Sequence, residues 1–432
     1  MTSHPERHGK DLERLRERLP LWGALLLKAI RRTSSLDAWI LVVALGLALA
    51  LRLVLFDFKS LDFYASLKPW YNTIRAGGFG AFATNFSTYN PPYLYLLYLV
   101  ARFLPDLSVV AAVKLPSLLA DYVCAYFVGR IVKAGSPQPR FLPYMAASAV
   151  LFAPSVVLNS AFWGQADSLL AAGILACVFY LMIRRPVPAM LAFGVALAFK
   201  LQAVFLAPVL MALAVRGHIP WKSFLYIPLV LLIAILPAWA AGRPLAELLG
   251  VYAYQTSQFE FITMNAPSVY AWLPDTKRVF NLMYTPGIIM GAAATLVWFT
   301  VLYKSSHAIA GRLLAEVALV SVLVVPLFLP KMHERYFYLA DLLAIVVGFL
   351  YPRLWLVPLA IIAVSSASYQ PFLFERALVP LPVLGFALVG VSAYLCHHAL
   401  KQLRPGLESQ TVSPNTLGIG IHARPERRKT AG

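Results

Sequence analysis

Leu36 to Phe56 is an apolar run long enough to cross a bilayer core of about 30 Å, and the stretch behind it, Phe56 to Pro92, is the longest polar and aromatic interruption before residue 240. No small-residue cleavage site follows the run, which predicts a first transmembrane helix rather than a removed signal peptide. The next apolar segment, Tyr93 to Leu104, reaches only about 18 Å at about 1.5 Å per residue. It is expected as a helix lying along or dipping into the outer face. The second span then falls at 108–131. Further apolar runs at 141–158, 168–183, 187–199, 202–215, 222–241, 286–303, 313–329, 336–350, 353–366 and 378–396 bring the expected total to about twelve. The fold class expected is all-α: a polytopic transmembrane helical bundle with helices in its outer-face loops. Several of these runs are short, so pairs such as 187–199 and 202–215 are expected to tilt or to cross incompletely.

Composition agrees, with 60% hydrophobic and 13% charged residues, more apolar surface than a soluble domain can bury. The net charge of +18 does not signal nucleic acid, because it concentrates where membrane topology explains it. Residues 1–35 form a basic arm carrying Arg14, Arg16, Arg18, Arg31 and Arg32, with Leu12, Leu15 and Leu19 at helical spacing. Such an arm suits the cytoplasmic leaflet and anionic lipid. With the N-terminus inside, Arg184, Arg185, Arg216, Lys304, Arg312 and Arg353 fall in inner loops, and the tail 397–432, rich in Pro, Ser, Gly and Arg, is expected to be cytoplasmic and disordered. Between arm and tail lies one membrane domain, 36–396, whose first outer loop is 57–107. Cys124, Cys177 and Cys396 all sit in apolar runs, which argues against a disulfide framework or a Cys-based metal site.

That topology gathers the polar clusters on one side. The outer face collects Asp57 to Asn90, Asn159 to Asp167, Lys200-Leu201-Gln202, the loop 242–285 and Pro330 to Tyr336, whereas the inner face carries only basic punctuation. This is the layout of an enzyme working at the outer face of the plasma membrane. Each cluster also has a plainer reading. Asp57 or Asp62 could end one helix and cap the next, and Trp70, Trp163 and Tyr336 could be interface-belt aromatics. Trp-Gly-Gln-Ala-Asp could be a loop that caps the next span, and Lys-Met-His-Glu-Arg-Tyr a solvated ion-pair turn. Asp121, Glu316 and Asp341 lie within spans and are expected to pair with neighbours such as Lys114 or Arg52.

An Asp after helix one, then Trp70-Tyr71, Tyr89-Asn90-Pro91-Pro92-Tyr93, Asn159-Ser160-Ala161-Phe162-Trp163-Gly164-Gln165-Ala166-Asp167, Phe199-Lys200-Leu201-Gln202 and Lys331-Met332-His333-Glu334-Arg335-Tyr336 together resemble the polyprenyl-phosphate-sugar-dependent GT-C glycosyltransferases. The likeness is strongest to bacterial relatives of the GPI-anchor mannosyltransferases, and more distant to the dolichyl-phosphate-glucose glucosyltransferases of the endoplasmic reticulum. It implies an inverting transfer of a hexose, with mannose the best guess, from a polyprenyl-phosphate donor to a lipid or glycan acceptor. An outer-loop aspartate would be the base and a histidine would face the donor phosphate. Carried over, these fall on Asp62 and His333. Many members place two acidic residues closer together than Asp57 and Asp62, so Asp57 stays open as the base.

The chemistry asks for the same residue types. A sugar hydroxyl needs a carboxylate to take its proton as the anomeric bond breaks. A departing phosphate needs fixed donors, which Lys331, His333 and Arg335 can supply. Tyr89, Gln165, Asp167, Lys200, Gln202 and Glu334 are candidates for substrate contacts, and Gln255, Gln258, Glu260, Asn265 and Tyr270 for the acceptor. No metal or other cofactor is expected. A transporter or flippase of lipid-linked sugars is the competing reading, although no repeated halves or midplane polar cluster are visible.

Overall fold

The computed structural model of the chain describes residues 35–135, 141–257 and 259–404. Nearly all of the basic arm, the tail beyond Arg404, and Gln258 lie outside the described residues. Every expected span is helical: α1 (Ser35–Leu55), α4 (Val109–Gly135), α5 (Leu142–Phe152), α6 (Asp167–Met182), α7 (Pro186–Phe199), α8 (Ala207–Val215), α9 (Tyr226–Ala240), α10 (Lys277–Lys304), α11 (Gly311–Phe328), α12 (Tyr338–Leu350), α13 (Leu356–Ser368) and α14 (Leu381–Leu403). In the first outer loop lie α2 (Lys68–Gly77) and α3 (Pro91–Phe103). Proline at the first turn of α2, α3, α5 and α7 sets the start of each, since its missing N–H is not needed there.

The boundaries differ from expectation in four places. The segment expected as one span at 141–158 breaks after Phe152, where Pro154 forces Ala153 into extended backbone, and the chain turns by 50° before running on to Trp163. The motif expected as an outer loop is therefore helical as far as Trp163. Thr276 caps α10 by accepting from the Val279 amide, so that helix starts before residue 286 and carries Pro286 inside it. Helix α14 continues to Leu403, past the point where a tail was expected. By length and composition, 6 described helices could cross a membrane, or 7 with the bent pair counted as one span. α6, α7 and the stretch Leu201–Val215 are shorter apolar helices, so helix length does not support about twelve full crossings.

Packing separates core from periphery. In α11 83% of the apolar window is buried, against 11% in Trp221–Ala240, whose Leu229, Leu232 and Ile233 face outward as lipid-facing residues do. The short helices α6 and α7 pack backbone to backbone. A Cβ on Gly173 would come within 2.8 Å of the Ala196 Cβ and 2.9 Å of the Ala192 carbonyl oxygen, which is how small residues let membrane helices approach.

The buried ionisable groups Arg52, Lys114, Asp121, Glu316 and Asp341 within the spans are partnered, though not all as expected. Arg52 pairs with Asp121 at 2.9 Å with both side chains fully buried, and donates to the Leu151 carbonyl at 2.8 Å. The Ser160 hydroxyl donates to the same carboxylate at 2.5 Å. The gain is registry more than stability: these contacts tie α1, α4 and α5 to the turn that carries the Trp-Gly-Gln motif. Glu316 takes His398 at 2.6 Å and Gln402 at 2.9 Å, while Asp341 has the Ser365 hydroxyl at 2.8 Å rather than a cation. Lys114 pairs with no buried acid. It donates to the Phe56 and Phe58 carbonyls at 2.8 and 2.7 Å, pinning the chain as it leaves α1.

Candidate active site

Segments far apart in sequence, three of them described below, meet in one cavity of about 450 Å³, lined by Asp62, Trp70, Tyr89, Gln165, Lys200, Gln202, Gln255, Asn265, His333, Glu334, Arg335 and Tyr336, with Phe199, Phe259, Phe261 and Phe372 among its apolar walls.

The first segment follows α1. Asp62 precedes a π-helical turn, Phe63–Leu67, but caps nothing. Its Oδ2 instead accepts from Trp163 Nε1 at 2.9 Å and from Gln165 Nε2 at 2.6 Å. Asp57 is exposed and does not line the cavity. At the far end of the same loop, the Tyr89 hydroxyl donates to Gln165 Oε1 at 2.9 Å. Asn90, held extended by the proline after it, donates to the Ala198 carbonyl at 3.0 Å and so fixes this loop to the end of α7.

The second segment is the Asn159 to Asp167 motif. Leu158–Trp163 forms a π-helical turn that ends at Gly164, whose φ is +85°. A Cβ there would also press on Leu67 and Lys114 at 3.3 Å, so both the left-handed backbone and the space demand glycine. The widened turn points Asn159 back toward Asp167, and the two meet at 3.0 Å. Asp167 is the first residue of α6 without being its cap. Its other oxygen takes Lys200 Nζ at 2.6 Å. Trp163 is wholly buried, which overturns the interface-belt reading, and Trp70 and Tyr336 line the cavity instead of facing lipid.

The third segment is Lys331 to Tyr336. It is not a solvated turn: Glu334 is 2% exposed. A short parallel pairing holds it, β1 (Thr263–Met264) beside β2 (Met332–His333), extended by the Lys331 amide donating to the Ile262 carbonyl at 2.9 Å. Arg335 lies 3.6 Å from Glu334 and 4.0 Å from Asp167, with its guanidinium 5.4 Å above the Trp163 ring. Lys331 departs from expectation. Its ammonium donates to the Thr256 carbonyl at 2.9 Å and lies over the Phe280 and Tyr284 rings, and it does not line the cavity. Of the residues expected to meet the acceptor, Gln255 and Asn265 line the cavity. Glu260 pairs with Lys277 at 3.2 Å in solvent, and the Tyr270 hydroxyl donates to the Phe328 carbonyl at 2.7 Å.

Burial sets the charge states. It pushes the His333 imidazole well below its usual value, helped by Arg335 and Lys200. At neutral pH His333 is therefore a neutral N–H donor rather than a cation. Burial also lowers Lys200, against the pull of Asp167. It keeps the Tyr89 phenol protonated and thus a donor. Burial raises Glu334 from 4.5 to about 7, with Arg335 opposing. Between those values the folded protein holds a proton at Glu334 that the unfolded chain has released, so this group's stabilisation is present at low pH and lost as pH rises through about 7. The melting temperature of the wild type relative to Glu334→Gln is therefore expected to fall between about pH 5 and about pH 8. A pH-independent difference in a thermal-shift series would show that Glu334 ionises normally.

The residues that sequence reasoning left without a role are Trp163, now a donor to Asp62, and Asn159, now a donor to Asp167. Both stood in the quoted motif. Of the aromatic walls, Phe199 stood in the Phe-Lys-Leu-Gln motif, whereas Phe259, Phe261 and Phe372 carried no signal, because aromatics abound throughout the chain.

No family model and no curated protein match the chain in sequence. Among solved structures it resembles the crystal structure of ArnT from Cupriavidus metallidurans bound to undecaprenyl phosphate, with a TM-score of 0.52 and 13% identity over 84% of this chain and 77% of that one. It also resembles the apo state of ArnT from the same organism, with a TM-score of 0.52 and 15% identity over 85% and 78% of the two chains. At such identities the likeness shows the fold alone: this chain shares the helical fold of ArnT.

Proposed function

We propose that the protein is an integral-membrane glycosyltransferase. It moves a hexose, with mannose the first candidate, from a polyprenyl-phosphate donor to a lipid or glycan hydroxyl at the extracytoplasmic face of the plasma membrane. The observation that carries this reading is one cavity walled by a carboxylate, Asp62, and by phosphate donors, His333 and Arg335. The acceptor hydroxyl gives its proton to Asp62 as its oxygen bonds the anomeric carbon. The bond from that carbon to the phosphate oxygen breaks, the phosphate leaves with the electron pair, and the configuration inverts. The departing charge develops toward Arg335 and His333. An apolar cavity of about 300 Å³, lined by Asn90, Pro91, Pro92, Leu231, Ile235 and Tyr252, lies beside the polar one, and Gln255 of the polar wall donates to Asn90 Oδ1 at 3.2 Å. It suits the first isoprene units of a donor. The shared fold with a protein crystallised with undecaprenyl phosphate supports the donor class. Both termini lie inside, and of the roughly twelve apolar segments the short ones tilt or cross incompletely.

The test is to incubate purified protein in proteoliposomes with labelled polyprenyl-phosphate-mannose and polyprenyl-phosphate-glucose and a mixed envelope-lipid acceptor pool. Release of free polyprenyl phosphate with transfer of the label supports the reading. Equilibration of an intact donor across the bilayer without bond cleavage would make the protein a transporter.

A further inference from the structure

Gln165 sits where a substrate contact was expected, yet each end of its amide already holds a protein partner. Nε2 donates to Asp62 Oδ2 at 2.6 Å, and Oε1 accepts from the Tyr89 hydroxyl at 2.9 Å. A phenol that burial keeps protonated is a donor, so it selects the oxygen of the amide and turns the NH2 toward Asp62. Trp163 Nε1, a donor only, meets the same Oδ2 at 2.9 Å. Both bonds land on one carboxylate oxygen. The other, Oδ1, has no donor among the described residues, and Asp62 lines the cavity.

The Tyr89 ring is itself held in place. It lies 5.1 Å from Trp70 and 5.2 Å from Tyr93, with the Lys200 ammonium 5.1 Å from its centroid. Trp163 is wholly buried and stacks on Phe372 at 4.7 Å. Neither donor to Asp62 is loose.

We propose that Tyr89, Gln165 and Trp163 are positioning residues that fix the carboxylate of Asp62 through Oδ2 and leave Oδ1 as the atom that takes the acceptor's proton. The proposal rests on the reading of Asp62 as the base. Two hydrogen bonds to one oxygen restrain rotation about χ2, so the direction of Oδ1 is set before the acceptor arrives. The charged and titratable groups facing Asp62 from neighbouring segments are Tyr89, Glu334 and Arg335, with Asp167 and Lys200 behind them.

A substrate-binding amide and a positioning amide fail differently. Gln165→Leu is expected to lower kcat by about 30-fold with the donor Kd within about 3-fold of wild type, as a loss of base alignment rather than of binding. Tyr89→Phe is expected to cost about 5-fold in kcat alone and nothing further in the Gln165→Leu background, because the phenol acts only through the amide. Gln165→Glu keeps the shape and sets two carboxylates to share a proton, so the acidic limb of its kcat profile should move up by about one pH unit or more. A raised donor Kd with unchanged kcat in Gln165→Leu would overturn the proposal, as would independent, multiplicative effects of the Tyr89 and Gln165 changes. If Gln165→Leu does not fold, an unshifted acidic limb in the isosteric Gln165→Glu overturns it equally. An active Asp62→Asn would sink the base reading itself, whereas an inactive Asp62→Asn beside a fully active Gln165→Leu sinks only the positioning role.

Discussion

Asp62→Asn is expected to lose about 100-fold or more in turnover while still binding donor, because the amide keeps the size of the carboxylate but takes no proton. The local structure should survive. An Asn side chain presenting its oxygen to Trp163 and Gln165 can keep both hydrogen bonds, now made at 2.9 and 2.6 Å, so lost activity reads on chemistry and not on folding. Asp57→Asn serves as the control. Asp57 is exposed and outside the cavity, so its turnover should stay close to wild type. Single-turnover transfer with labelled donor, alongside a donor-binding titration, separates the two steps. An inactive Asp57→Asn beside an active Asp62→Asn would move the base to the end of α1, and activity in both folded variants would remove this loop from the chemistry.

Arg335→Lys should be the most damaging change on the donor side, costing about 2 to 4 kcal/mol of transition-state stabilisation, or roughly 30- to 1000-fold in kcat/KM. Lysine keeps the charge but not the planar fork, and it cannot lie over Trp163 as the guanidinium does at 5.4 Å. Alanine would be a poorer test, because it would leave the buried Glu334 without its guanidinium partner, whereas Asp167 would keep Lys200. His333→Ala should cost less. An imidazole kept neutral by burial loses only an ordinary hydrogen bond, about 0.5 to 1.5 kcal/mol. The ordering of the two variants, measured as kcat/KM for the donor, checks the charge states. A larger loss at His333 than at Arg335 would mean that the imidazole is the principal cation at the phosphate.

Much of this site could be read from the chain because its chemistry is concentrated in short motifs between apolar runs. Asp62, Tyr89, Gln165, Asp167, Lys200, Gln202, His333, Glu334 and Arg335 were each named from their motifs, and the structure sets them together: all but Asp167 line the polar cavity, and Asp167 lies directly behind Lys200. What the motifs could not convey was direction. Lys331 belongs to the same run as Arg335, but its φ of +63° swings the side chain out toward Thr256 and two aromatic rings. Asp57 and Asp62 lie in one short loop, and only the backbone path decides that one faces water and the other Trp163.

The length and spacing of apolar runs are local properties, and they were sufficient to place a helix in each apolar run, though not its ends, because a chain in lipid must satisfy its backbone hydrogen bonds within each segment. Long-range contacts are another matter. Asp62 and Gln165 are 103 positions apart, and their 2.6 Å hydrogen bond exists only because a π-helical turn, a left-handed glycine and the buried Arg52–Asp121 pair bring α1 and α5 into register. The charge states of His333 and Glu334 were equally out of reach. They follow from desolvation, which depends on how the cavity closes around a side chain and not on the side chain's neighbours in sequence.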